Sequence, residues 1–232
     1  EGVAFAQGDS IDLDRSGAAF VRATRIDANR LEAWRNLAYV YYQSEQTEEA
    51  IATYRHIIEQ ASDDVDSFYS LGVLLLNEAR HDEAVDVLNR LTEIDKNHLE
   101  GHINLAVAQV NTKDFEGAEH SYKQAIVIAP EAANPRYNLG NLYWQQERYE
   151  EALAAYVKSV ELDPSDNDAL YNLAITHIAL EDADSALPLF EELSIRMPSN
   201  ASVWRELGRM YAINGQIKQS EEAYAREQAL TE

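Results

Sequence analysis

Residues 133–166 read ANPRYNLGNLYWQQERYEEALAAYVKSVELDPSD, and the fold is decided there. Leu139, Leu142 and Tyr143 fall at helical spacing on one face. Gln145, Gln146, Glu147 and Arg148 form a polar turn, and Ala152, Leu153, Tyr156 and Val160 then make a second apolar stripe. Pro164 stops that second helix, because proline lacks an N–H and restricts the residue before it. The stretch therefore predicts helix A, turn, helix B, turn.

Moving outward by thirty-four residues in either direction returns the same pattern. Leu37, Leu71, Leu105, Leu139, Leu173 and Leu207 keep that spacing without insertion or deletion. So do Ala38, Gly72, Ala106, Gly140, Ala174 and Gly208, and so do Ala50, Ala84, Ala118, Ala152, Ala186 and Ser220. The leucines fill the inside of each helix pair. The small residues mark the closest approach of helix A to helix B, where a larger side chain would overpack by roughly 1–3 kcal/mol. Tyr54, Leu88, Tyr122, Tyr156, Phe190 and Tyr224 are the bulky knobs of helix B. A fixed period of this length describes a stack of small units rather than one large core. It turns the functional question from a catalytic pocket to an extended surface.

Composition narrows the partners. The 232 residues carry 41 acidic and 19 basic side chains, a net charge of −22. That argues against nucleic acid and anionic membrane, which are held by clustered Lys and Arg. No cysteine is present, so disulfides and thiolate metal sites are excluded. No apolar run approaches the roughly 20 residues that span a bilayer. Direct membrane insertion is not expected, and a soluble, cytoplasmic location is favoured over a periplasmic one. The chain opens on Glu1 rather than Met, so it is read as an excised piece or a processed product.

The motif residues resemble the tetratricopeptide repeat family: Leu139-Gly140, Tyr143, Ala152, Tyr156 and Pro164 match its pattern of small, aromatic and proline positions. The resemblance runs from Leu31 to Glu232. It implies an all-α fold, a right-handed α-solenoid of helix-turn-helix repeats, as a single array over 1–232. The frames are 31–64, 65–98, 99–132, 133–166, 167–200 and 201–232, with a partial or divergent repeat over 1–30. Some positions depart from the pattern. Pro188 predicts a kink, or a helix beginning near Ser185. His102 and Gln109 stand where aromatics are expected, so the third frame is expected to pack more loosely. Ser220 and the pair Glu227 and Gln228 let the last helix act as its own cap.

Chemistry of a catalytic kind is not expected. The six histidines occupy unrelated repeat positions. His98 and His102 have a chelating spacing, but one lies in an inter-repeat turn and the other at a packing position. Acidic pairs such as Glu150 and Glu151 lie in first helical turns, where they favour the helix dipole. No catalytic residue, metal ligand or cofactor site is assigned, and the chain is read as a non-enzyme.

The resemblance further implies a concave groove lined by the helix A series. Its candidate partner-binding residues are Arg35, Asn36, Tyr39, Tyr42, Tyr69, Asn104, Tyr137, Asn138, Asn141, Trp144, Tyr171 and Asn172. Asparagine offers both a donor and an acceptor to a peptide backbone. Tyr and Trp give large contact area at small entropic cost. A similar asparagine ladder occurs in the peptide-reading superhelix of the O-linked N-acetylglucosamine transferases. Carboxylate-clamping relatives pair two asparagines with basic residues. Asn141 and Asn172 fit, but Tyr137, Ser202 and Glu206 occupy the basic places. The reading is a scaffold for an extended or helical segment of another protein or peptide. The alternatives are homo-oligomerisation through an end containing Val3 and Phe5, and a regulatory or substrate-presenting arm of a larger enzyme or polysaccharide-export assembly.

Overall fold

The computed structural model describes residues 13–231. Among them are thirteen α-helices and no strand: α1 Leu13–Ile26, α2 Leu31–Gln43, α3 Thr47–Gln60, α4 Val65–Asn77, α5 His81–Ile94, α6 Leu99–Asn111, α7 Phe115–Ile128, α8 Asn134–Gln145, α9 Tyr149–Leu162, α10 Asn167–Ala179, α11 Ala183–Arg196, α12 Ala201–Ile213 and α13 Ile217–Thr231. Five first helices begin on the residue that opens a frame. The exception, α8, begins one residue inside its frame with Pro135 in its first turn, where a missing N–H removes no helical bond.

Contacts divide the chain into two compact units, the first ending at Ser121 and the second beginning at Tyr122. In the first, Leu71, Leu75, Leu88 and Leu91 are fully buried, with Ile57 and Leu105 in the same cluster. In the second, Phe190, Leu193, Val203 and Met210 are fully buried, with Leu170 and Leu207 beside them. Each core is a run of helix-pair interiors, the all-α solenoid class of architecture.

The small-residue series acts as its spacing predicts. Ala38, Ala50, Ala84, Ala106, Ala118, Ala152, Ala174 and Ala186 have no exposed surface. A Cβ built on Gly72 would lie 2.4 Å from Leu88 Cδ2, and one on Gly140 would lie 2.6 Å from Tyr156 Cε1. Glycine is needed at both because the facing knob reaches the backbone. Ser220 is buried, and its hydroxyl satisfies itself by donating to Gly208 O at 2.8 Å.

The turn between the helices of a pair is more specific than its polar composition reveals. Glu45, Ala79, Lys113, Glu147, Glu181 and Gly215, again thirty-four apart, all have φ between 55° and 71°. In the fourth frame the N–H of Glu147 donates to Trp144 O at 3.0 Å and that of Arg148 to Tyr143 O at 3.0 Å. These are the 5→2 and 6→1 bonds of a Schellman motif. The same pair recurs at Ala79 with Arg80 and at Glu181 with Asp182. Only one of the six left-handed positions is glycine.

One expectation is corrected. His102 and Gln109 do not loosen the third frame. Both are buried, and both find partners. His102 Nε2 lies 3.0 Å from Lys96 O, and Gln109 Oε1 accepts from Ser121 Oγ at 2.8 Å. Helix α11 begins at Ala183, two residues before Ser185: Asp182 caps it by accepting from Ser185 N at 3.1 Å, and the helix continues through an exposed Pro188.

Candidate partner-binding clefts

The predicted residues fall into two groups, one in each unit. In the first unit, Tyr39 and Tyr42 stand one turn apart on α2, and 45% and 41% of their surface is exposed. With Tyr54 of α3 and Tyr69, Ser70, Val73, Leu74 and Asn77 of α4 they line a cleft of about 210 Å³. Tyr69 is half-buried and its ring centroid lies 5.1 Å from that of His98. Burial raises the Tyr54 phenol above its ordinary pKa, opposed by a hydrogen bond to Ser70 and by the charge of Arg35. Tyr54 was not among the predicted residues, because its place as the knob of helix B reads as core.

Arg35 is not a free cation. Its Nη1 donates to Asp66 at 2.9 Å and its Nη2 is 3.5 Å from Asp64. Asp64 stands at the N-cap of α4 but makes no capping bond. Two carboxylates therefore face one guanidinium. Asn36 turns back to its own helix, donating to Glu32 O at 2.8 Å. Asn104 is half-buried on α6, and its neighbour Ile103 is buried.

In the second unit three predicted residues, Tyr137, Asn141 and Asn172, meet beside the buried hydroxyl of Tyr156. Tyr156, only 1% exposed, donates from its hydroxyl to Asn141 Oδ1 at 2.7 Å. Asn172 Nδ2 donates to the same Asn141 Oδ1 at 3.1 Å and to Tyr137 Oη at 3.3 Å. Burial, reinforced by Tyr137, pushes the Tyr156 phenol far up, so it is a neutral donor at any ordinary pH. Asn141, Asn172, Trp144, Tyr171, Tyr156 and Ile175 line a cleft of about 150 Å³. Tyr171 packs edge-on against Phe190 with centroids 5.9 Å apart. Tyr137, Trp144 and Tyr171 are half-buried rather than freely exposed, because each rests on a neighbouring ring: Tyr156, Tyr149 and Phe190 respectively. Asn138 is held aside, donating to Asn134 Oδ1 at 2.6 Å.

Next to this cleft, Glu206 is not the lone repelling charge its sequence position suggested. Arg205 Nε and Arg209 Nη1 lie 3.3 and 3.5 Å from its carboxylate, so two guanidinium groups offset it. His98 Nδ1 accepts from Gly101 N at 2.9 Å and acts as the N-cap of α6. Among the described residues no group of three potential metal ligands gathers, and no helix is long and apolar enough to cross a membrane. Val3 and Phe5, the suggested self-association contact, lie outside the described residues.

Comparison with known proteins agrees with this architecture. A tetratricopeptide repeat model matches residues 6–65, 36–98 and 171–231, a second matches 133–166, and a TPR repeat model matches 112–147. Protein O-mannosyl-transferase TMTC3 of Homo sapiens is 27% identical over 191 residues, covering 76% of this chain and 21% of that protein. The type IV pilus assembly protein PilF of Pseudomonas aeruginosa is 26% identical over 137 residues, covering 58% of this chain and 54% of that one. The chain thus spans about a fifth of the length of TMTC3 and about half that of PilF. Among solved structures, the C-terminal part of a TPR repeat-containing protein from Cytophaga hutchinsonii superposes with a TM-score of 0.80 at 18% identity, covering 94% of this chain and 90% of that one. YrrB, described as a TPR protein with an unusual peptide-binding site, gives 0.68 at 20% identity, covering 81% and 96%. With repeat models matching well over half of the sequence and helix pairs recurring at their period, the chain belongs to the tetratricopeptide repeat family.

Proposed function

We propose that this chain is a non-enzymatic scaffold whose first-helix faces hold an extended segment of a partner protein. One observation carries the reading. In the Asn141–Asn172 pair, Asn141 Oδ1 accepts twice and Asn172 Nδ2 donates twice. Each amide has one group left over: the Nδ2 donor of Asn141 and the Oδ1 acceptor of Asn172. A donor and an acceptor fixed side by side by a buried phenol are what a peptide backbone needs to pair, as it would with a strand edge. Trp144, Tyr171 and Ile175 border the same cleft and supply contact area for a side chain. The family is generally built for holding other proteins, and YrrB shows that its fold accommodates a peptide site.

The test is selection from a random linear peptide library on the intact chain. Recovered peptides are expected to lose roughly tenfold or more in affinity against Asn172→Ala, that is about 1.4 kcal/mol or more. Asn172→Ala leaves the bond from Tyr156 to Asn141 in place, so folding is retained. A library that yields no binder, or binders indifferent to Asn172, Trp144 and Tyr42 substitutions alike, overturns the reading.

A further inference from the structure

The first-unit cleft differs in chemistry from the amide pair of the second. Four tyrosines, Tyr39, Tyr42, Tyr54 and Tyr69, converge on it from three helices. Phenol rings present a negative quadrupole face, which attracts an ammonium or guanidinium. Its remaining lining combines an apolar wall, Val73 and Leu74, with the oxygens of Ser70 and Asn77. That combination suits an amphipathic side chain: an aliphatic stem against the wall, a charged head among the rings and oxygens.

Charge points the same way. No cationic side chain lines the cleft. Arg35, one turn before Tyr39 and close enough for its charge to act on Tyr54, is met by both Asp64 and Asp66, leaving a net negative cluster at that end. Exposed Glu45 and Glu78 follow Tyr42 and Asn77 along the chain. The whole chain carries −22. A neutral apolar occupant would gain only from the wall, while an anionic one would face the negative sides of the rings and an acidic chain.

We propose that this tyrosine-lined cleft of the first unit takes an arginine or lysine side chain from the partner segment. The proposal rests on the scaffold reading above and names the chemistry of one anchor residue. Arginine is favoured, because its planar guanidinium stacks on phenol rings and still donates to the Ser70 and Asn77 oxygens.

The experiment titrates the intact chain, with ring-labelled tyrosine, against three end-blocked glycine–serine nonapeptides. Each carries one central residue: arginine, citrulline or norleucine. Citrulline keeps the planar shape of arginine but carries a carbonyl oxygen in place of one terminal nitrogen, so the charge and part of the donor set are lost. The arginine peptide is expected to shift the Tyr39, Tyr42 and Tyr69 ring signals and to bind at least roughly fivefold tighter than the citrulline peptide. That preference is expected to shrink in 0.5 M salt and to vanish in Tyr39→Leu/Tyr42→Leu, whose two replaced rings are exposed. Equal binding of the three peptides would make the cleft an apolar slot and overturn the cationic assignment while leaving the scaffold reading intact. Arginine titrations that move no tyrosine ring would overturn it too. Failure of the library selection, by contrast, removes the scaffold reading itself.

Discussion

At the scale of single residues, the glycines of helix A separate two packing situations that their shared repeat position hides. A Cβ on Gly140 meets Tyr156 at 2.6 Å, and that ring is fully enclosed. A Cβ on Gly208 meets Tyr224 at 3.0 Å, and that ring is 39% exposed and can swing away. Alanine in mid-helix gains up to about 1 kcal/mol over glycine by propensity. Overpacking a rigid site costs about 1–3 kcal/mol. Gly140→Ala is therefore expected to lower stability by about 1–2 kcal/mol, and Gly208→Ala to leave it unchanged or raise it slightly. Urea denaturation of both variants checks this, and equal losses at the two sites would show that Tyr224 is as fixed as Tyr156. The candidate site was partly legible at this scale. Asn141, Trp144, Tyr171 and Asn172 share a cleft as their column positions implied. The sequence could not reveal that Arg35 is spent on Asp64 and Asp66, almost a frame away, or that Asn36 folds onto Glu32 O in its own helix rather than facing outward.

At the scale of elements, the recurring feature is the left-handed residue after each helix A. For residues other than glycine this conformation costs roughly 1–2 kcal/mol, and glycine returns part of that as extra freedom in the unfolded chain. Ala79→Gly and Glu147→Gly are each expected to raise stability by about 0.5 kcal/mol, and together to add, since the two turns share no partner. Thermal unfolding of the singles and the double measures it. Destabilisation by either would mean that its side chain contributes more than the strain it carries. Helix starts and the direction of each stripe could be read from the period, because burial and spacing are tied to each other. The Schellman turns could not: the usual glycine stands only at Gly215. The loosened third frame failed as an expectation for a related reason. Pattern matching scores Gln109 as a mismatch, while the structure completes it with Ser121, twelve residues on.

At the scale of the whole molecule, the excess of 22 negative charges works against compactness through self-repulsion. The ion pairs that oppose it are mostly exposed. Arg80 with Glu48 and Glu83, Arg90 with Glu93 and Lys218 with Glu222 are worth little each. Repulsion outweighs them, so adding salt is expected to raise the melting temperature between 10 mM and 0.5 M sodium chloride at neutral pH. A falling melting temperature would mean that the pairs dominate. The same acidity bears on function. A charge of this sign would speed the approach of a basic segment, and that acceleration would fade as ionic strength rises.

Of the three tryptophans, two are fixed in the same way. Trp34 and Trp204 donate their indole N–H groups to Ala28 O and Pro198 O, each at 2.9 Å, six residues back along the chain. Trp144 alone borders the amide cleft. Exchanging the other two for phenylalanine would leave a single emitter beside Asn141 and Asn172. The molecule then carries its own optical gauge of occupancy, and a shift in emission wavelength would announce a visitor without any added dye.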